Sequence, residues 1–152
     1  MTVSQLETSW EKYCEEGLAI LHSAVPVNRA FAVVFDIDNT LLDAAKNAVC
    51  SVQNLYNAAV DLGYAVFIVT SREGSERNKD VTYMELARAG YTGYHSIYWR
   101  KPKHSVDNYQ YKRECRRNIV EKGYIIVMTV GDSEWDGGTF GGKMLWNREF
   151  NR

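Results

Sequence analysis

The chain has 152 residues, 45% hydrophobic and 24% charged, with eleven glycines and two prolines, a composition that fits one globular domain and excludes a disordered or collagen-like chain. Eighteen Lys and Arg stand against nineteen Asp and Glu, for a formal charge of −1, so no bulk field draws the protein to nucleic acid or to a membrane surface. A chain of this length buries roughly 70% of its unfolded surface, which supports one core and leaves no room for a second full domain.

Taken in order, Leu6, Trp10, Tyr13, Leu18 and Leu21 recur at helical spacing and predict an amphipathic helix over Gln5–Ala24, ended by Pro26. Ala30–Phe35 is a short, continuous apolar run, the pattern of a strand buried on both faces in a parallel sheet. A helix is predicted over Asn47–Leu62, with Val49, Val52, Leu55, Tyr56 and Ala59 on one side and Gly63 as its stop. The alternation repeats through strand Tyr64–Val69, helix Asn78–Ala89, strand Ser96–Trp99, helix Val106–Lys122 and strand Tyr124–Val130, with Lys143–Trp146 as a further edge strand. Such a βαβ succession predicts an α/β fold, a three-layer Rossmann-like parallel sheet with helices on both faces. We read one domain over 1–152, made of an N-terminal helical extension (1–29) and a core (30–147), with no large cap.

The longest apolar runs fall far short of the ~20 residues a membrane helix needs, and Met1–Glu16 is acidic, without the basic flank and apolar stretch of a signal peptide. Cys14, Cys50 and Cys115 show no metal-ligand spacing. A cytoplasmic location with buried thiols is the expectation, and no membrane partner.

In a parallel sheet, ligands bind outside the carboxyl ends of the strands. Those ends carry Asp36-Ile37-Asp38-Asn39-Thr40, then Thr70-Ser71-Arg72, then Gly131-Asp132-Ser133-Glu134-Trp135-Asp136. Singly, the first reads equally well as a capping turn and the last as a polar surface turn; their coincidence at one sheet edge favours a site. Asp36 and Asp38, two residues apart, project towards one crevice while Ile37 turns to the core, and Asp132 joins them from another strand. Three carboxylates so close require a cation, and all-oxygen ligands without His or Cys favour Mg²⁺. A carboxylate nucleophile, a proton carrier, a metal, and a lysine with a hydroxyl across the phosphate complete a phosphoryl-transfer site. Thr70 supplies the hydroxyl. Lys112 is the preferred lysine, with Lys101 and Lys103 as alternatives, and Asp43 reads as a surface or turn residue. His22, His95 and His104 are isolated and read as non-catalytic.

These four segments resemble the motifs of the haloacid dehalogenase (HAD) superfamily of phosphohydrolases. The stretch from Ile68 to Asp136, with Arg77-Asn78, Ala89-Gly90-Tyr91, Tyr111-Lys112, Arg116 and Gly123-Tyr124-Ile125, is similar to its acid phosphatase branch, subfamily IIIB, which includes plant vegetative storage proteins and bacterial class B acid phosphatases. The resemblance implies an HAD-like fold and a Mg²⁺-dependent phosphomonoesterase working through an aspartyl-phosphate. It implies Asp36 as nucleophile and metal ligand, Asp38 as general acid and base with its carbonyl on the metal, and Asp132 as metal ligand. Thr70 and Lys112 then hold the phosphate, Thr40, Ser71 and Arg72 line its site, and Asp136 orders the metal shell or Lys112. Ser71 and Ser133 stand where relatives commonly have Gly and Gln, and neither difference removes a catalytic group.

The expected substrate is a nucleotide or another small phosphomonoester. Trp99–Arg117 interleaves basic and aromatic residues, so a polynucleotide 3′-phosphate is the second candidate. A phosphotransferase and a weakly catalytic storage or binding protein are the remaining alternatives. A homo-oligomer, with aromatics of the N-terminal helix as its contact, is also expected.

Overall fold

The computed structural model describes residues 1–24, 30–101 and 106–149. Five strands, β1 (Phe31–Phe35), β2 (Ala65–Glu73), β3 (Ser96–Arg100), β4 (Ile125–Gly131) and β5 (Lys143–Trp146), form one parallel sheet in the order β3-β2-β1-β4-β5. Four helices, α1 (Val3–Ser23), α2 (Cys50–Asp61), α3 (Glu76–Arg88) and α4 (Asn108–Glu121), cover it. The three-layer α/β architecture predicted from the alternation is the one observed. The chain runs outward from β1 through β2 and β3, then returns to β4 on the other side, which opens the ligand crevice outside the ends of β1 and β4.

Successive strand residues face opposite layers. Val33, Phe35, Val66, Ile68, Met128 and Val130 pack with α1, α2 and Leu86 of α3. Ala32, Val34, Ala65, Phe67, Val69 and Ile126 pack with Tyr111, Cys115 and Ile119 of α4. Burial on both faces is the physical reason the strands read as unbroken apolar runs.

The N-terminal helix is built into the larger of these two cores. Leu6 is 3% exposed, and Trp10 and Leu21 are fully buried. An indole removes about 150–250 Å² from water, worth roughly 4–6 kcal/mol before the entropy of fixing the chain. Trp10 is therefore part of the chain's own core. Gly17 permits the close approach, since a Cβ there would lie 2.6 Å from Leu145 Cδ1 and 3.0 Å from Leu55 Cδ1.

Two boundaries differ from the sequence reading in ways that matter for the site. α2 starts at Cys50, because Asp43 N donates to Asn47 O (2.9 Å) and Leu42 bridges Ala48, which holds residues 43–48 in a turn. β2 runs past Val69 to Glu73, which pairs with Arg100 on β3, so Thr70-Ser71-Arg72 lie within an extended strand. Pro26, Lys103 and His104 lie outside the described residues. Among the described residues, no helix is long and apolar enough to cross a membrane.

Candidate active site

Asp36 follows β1 directly, and its N–H donates to Val130 O (2.9 Å), continuing the β1–β4 ladder by one residue. Ile37 is fully buried, which turns the two flanking carboxylates away from the core. The chain then doubles back: Asn39 N donates to Leu42 O (2.7 Å) and Thr40 N to Ile37 O (3.1 Å), with Leu41 and Leu42 fully buried as anchors. Asn39 takes the left-handed backbone (φ 60°) that the tight turn needs, and Asn tolerates it better than most residues. Trp10 Nε1 donates to Asn39 O (2.9 Å), so α1 holds this loop from behind.

Three carboxylates gather on the crevice floor. One oxygen each from Asp36, Asp132 and Asp136 lies within 4.8 Å of the others. Lys112, 2% exposed, reaches in from α4 and donates to Asp36 Oδ1 (3.0 Å), Asp136 Oδ1 (2.5 Å) and Val69 O (3.2 Å). Burial alone would lower the lysine's pKa, but the charges of Asp36 and Asp136 overcome it and raise it. The charge balance is still negative. Burial, then the Asp36 charge, pushes Asp132 up to about 9. Burial and Asp36 also raise Asp136, against the opposing pull of Lys112. Carboxylates forced towards their neutral forms by each other and by burial define a site short of positive charge. An all-oxygen donor set of this kind fits a hard divalent cation. Asp136 is engaged at both oxygens, Oδ1 accepting from Lys112 and Oδ2 from Ser133 N (2.9 Å).

Gly131 makes this packing possible. Its φ lies outside the left-handed region, yet a Cβ there would fall 2.2 Å from Asp136 Oδ2 and 2.3 Å from Asp136 Cγ. The backbone must be bare for Asp136 to fold over it.

Asp38 leaves the cluster. Its Oδ1 and Oδ2 accept from Arg72 Nη2 (2.7 Å) and Nε (3.0 Å), and Arg72 Nη1 continues to Glu85 Oε1 (2.6 Å) and Thr82 Oγ1 (2.9 Å). Burial alone would raise the Asp38 carboxyl, but the Arg72 hydrogen bonds and charge, with Lys46, hold it below the ordinary range. Arg72, expected at the phosphate, is thus placed on Asp38, because Glu85 and Thr82 on α3 fix its far end. Lys46 Nζ stands 3.4 Å from Asp38 Oδ1. Lys46 adopts φ 66° in the turn capped by Asp43, whose Oδ1 accepts from Ala45 N (2.9 Å) and Asn47 N (3.0 Å). Left-handed backbone costs a non-glycine residue about 1–2 kcal/mol, and an exposed ion pair returns roughly 0–1 kcal/mol. Stability alone does not account for a lysine there.

Thr70 is buried, and its carbonyl accepts from Tyr111 Oη (2.6 Å), which also donates to Tyr98 O (3.0 Å). Its hydroxyl oxygen accepts from Arg72 N (3.1 Å). Thr40 is fully buried, and among the described residues its hydroxyl has no partner. Ser71 is exposed and donates to Asn108 Oδ1 (3.1 Å) at the start of α4. Lys101 is exposed beside α4, away from the carboxylates, so Lys112 is the described lysine in the cluster. Asp43 is buried, a turn residue but not a surface one. His22 and His95 are exposed.

The basic stretch over Trp99–Arg117 is largely occupied with structure. Arg100 pairs with Asn108 Oδ1 and Val106 O and lies over the Tyr111 ring. Arg116, 3% exposed, donates to Thr139 O (2.9 Å) and Trp135 O (3.0 Å), pinning the loop that carries Asp132 and Asp136. Arg117 pairs with Glu121 (3.1 Å).

The sequence reading did not single out Lys46, Glu85, Trp10 or Asn147 as parts of the site. Asn147, fully buried after β5, donates its N–H to Gly131 O (3.0 Å) and its side-chain amide to Ser9 Oγ (2.8 Å). No local motif marks these residues; only the fold brings them in.

The fold is shared with solved structures. The crystal structure of a class C acid phosphatase from Bacillus anthracis with tungstate bound superposes with a TM-score of 0.62 at 21% identity, covering 94% of this chain and 69% of that one. A chain of the Pnkp1/Rnl/Hen1 RNA repair complex gives 0.61, also at 21% identity, over 82% of this chain and 41% of that one. Both show a shared fold. Residues 43–139 match the profile of the HAD superfamily, subfamily IIIB (Acid phosphatase), and the chain belongs to this family. Acid phosphatase 1 of Solanum lycopersicum is 35% identical over 106 residues, 67% of this chain, which spans 40% of that relative's length. The profile match begins after Asp36 and Asp38, so their place in the site rests on the motif and the geometry.

Proposed function

We propose that the protein is a Mg²⁺-dependent phosphomonoesterase acting through a phosphorylated Asp36. The observation that carries the reading is the Lys112 ammonium buried against Asp36 Oδ1 at 3.0 Å, with Asp132 and Asp136 closing round the same point. Asp36 attacks phosphorus in line with the leaving alcohol, the ester P–O bond breaks, and Asp38, which takes up a proton as the substrate's negative charge enters beside it, gives that proton to the alcohol oxygen. Water then attacks the aspartyl-phosphate, Asp38 takes the water's proton, and inorganic phosphate leaves with the Asp36 carboxylate restored. Lys112 stays charged and faces the phosphoryl oxygens, while Thr70, held through its carbonyl by Tyr111, offers its hydroxyl on the opposite side. Asp36, Asp132 and the main-chain carbonyl of Asp38 would hold Mg²⁺, which supplies charge neutralisation at the non-bridging oxygens when bound. Family membership and the name of the tomato relative support the reaction class. The Bacillus anthracis enzyme of the same fold binds tungstate, a tetrahedral oxyanion like phosphate, which agrees with a phosphate-handling role.

A small phosphomonoester, nucleotides included, suits the site better than a nucleic-acid end. Arg100, Lys112 and Arg116 already have partners within the fold, which takes these three cations of the basic stretch away from any polynucleotide backbone. The test is phosphate release from an aryl phosphate with and without Mg²⁺, beside the Asp36→Asn variant. Metal-dependent release that the variant lacks, with its fold intact by circular dichroism, is the expected result. Turnover retained in Asp36→Asn would sink the mechanism.

A further inference from the structure

From the position of Lys46 we infer a second anion subsite, so that the preferred substrates are phosphomonoesters whose leaving group carries another anionic group, a phosphate or a carboxylate. This rests on the phosphatase reading and deepens it. A groove of about 330 Å³ opens beside Asp38, between the turn carrying Lys46 and the first half of α3. Asp38 is the proposed proton donor to the leaving oxygen, so the leaving group occupies the space next to it.

The groove's charged groups are not equivalent. Arg72 has each of its nitrogens bonded, to Asp38, Thr82 and Glu85, and is locked by α3. Lys46 meets Asp38 only at a long 3.4 Å, and its side chain is 44% exposed. Its ammonium has three donors and a flexible stem, free to re-aim at an incoming anion. The α3 wall carries Asn78, Val81, Thr82 and Glu85; it offers no competing cation, and the Glu85 carboxylate is already paired with Arg72. The turn is rigid, since Asp43 is buried and caps it three ways, through Ala45 N, Lys46 N and Asn47 N. That rigidity keeps a lysine in a backbone conformation that glycine or asparagine would take with less strain. The strain is tied to the one place where the side chain overhangs the crevice.

The experiment compares three substrates: phenyl phosphate, 3-carboxyphenyl phosphate and propane-1,3-diol bisphosphate. The first two differ chiefly in one charge, and the third tells a second phosphate from a carboxylate. Wild type is expected to favour the charged substrates by about tenfold or more in kcat/KM, mainly through KM. Lys46→Met should reduce that ratio to about twofold or less, Lys46→Arg should recover much of it, and Lys46→Gly, free of the strain, should behave as Lys46→Met. A wild-type preference below about twofold, or a preference that survives Lys46→Met, overturns the subsite. If no substrate is turned over, the reaction has been misread, and calorimetry separates the two questions. Tighter binding of 3-carboxyphenyl phosphate than of phenyl phosphate, lost in Lys46→Met, would uphold the subsite, and equal binding would refute it.

Discussion

Replacing Gly131 by alanine adds a single methyl group at the point where β4 hands over to the acidic loop. The new Cβ would fall 2.2–2.3 Å from three atoms of Asp136, about 1.1–1.2 Å inside ordinary contact, and the nearest of these is the carboxyl end of a buried side chain. Asp136 must move by more than an ångström, which breaks its hydrogen bonds to Lys112 and Ser133. Overpacking costs about 1–3 kcal/mol, and loss of one partner from a buried ion pair about 3–5 kcal/mol. The upper end of that sum is comparable with the whole stability of a domain. Gly123→Ala is the matched control. Gly123 has φ 99° and nothing within 4 Å of a Cβ, so alanine there meets only the backbone cost of roughly 1–2 kcal/mol. Urea unfolding should place Gly131→Ala about 2–7 kcal/mol below Gly123→Ala, or roughly 4 °C or more lower in Tm for a chain of this size. Magnesium binding should weaken in the first variant and not in the second. If the two variants unfold within 1 kcal/mol of one another, the argument from close approach at Gly131 is wrong.

Further outcomes follow from the same geometry. Asp132 keeps its proton up to about 9 in the folded protein and loses it near ~3.9 when unfolded, so between these values the folded state binds more protons and stability falls as pH rises. In chelator, the melting temperature should decline from about pH 5 to about pH 9, and excess Mg²⁺ should flatten that decline because the ionised ligands bind the cation; a rise across the window in chelator would contradict the assignment. Arg116→Met leaves the carbonyls of Trp135 and Thr139 without their donor and should cost about 1–3 kcal/mol by urea unfolding. It should also weaken Mg²⁺ binding measured by calorimetry, and an unchanged Mg²⁺ affinity would show that the loop holds its shape unaided. Tyr111→Phe removes the hydroxyl that holds Thr70, and should cost about 1 kcal/mol with a fall in kcat larger than any change in KM; full kcat would count against Thr70 being positioned in this way.

The layered α/β plan was legible because its strands are buried on both faces and its helices on one, so Ala30–Phe35 and Val52–Ala59 carry different periods. Helix stops were legible from glycine, and Gly63, Gly90 and Gly123 all have the positive φ that a helix end favours. The chemistry-bearing strand ends were readable as well, since Asp36, Thr70, Asp132 and the buried Lys112 fall where a parallel sheet puts its ligands. What the sequence hid was the division of labour among charges. Arg72 follows Thr70 by two residues and looked like a phosphate ligand, but Glu85, thirteen residues later on α3, draws it onto Asp38. The start of α2 was hidden for a related reason: the turn capped by Asp43 competes with helix over residues 43–48, and both patterns use the same apolar positions at Ala48 and Val49.

The first helix carries a consequence for how the protein is made. Its side chains bond to the last strand region over separations of 137 and 138 residues, Lys12 to Glu149 and Ser9 to Asn147. It also caps α2, since Glu7 Oε1 accepts from Cys50 N. During synthesis α1 meets α2 early, but the part of its surface that faces Leu145 and Asn147 waits in water until β5 has been built. Contacts this distant along the chain are slow to form and are the ones exposed to wrong pairing. The loop after β1 hangs from Trp10 over a separation of only 29 residues, so its support from behind is available before the last strand closes the sheet.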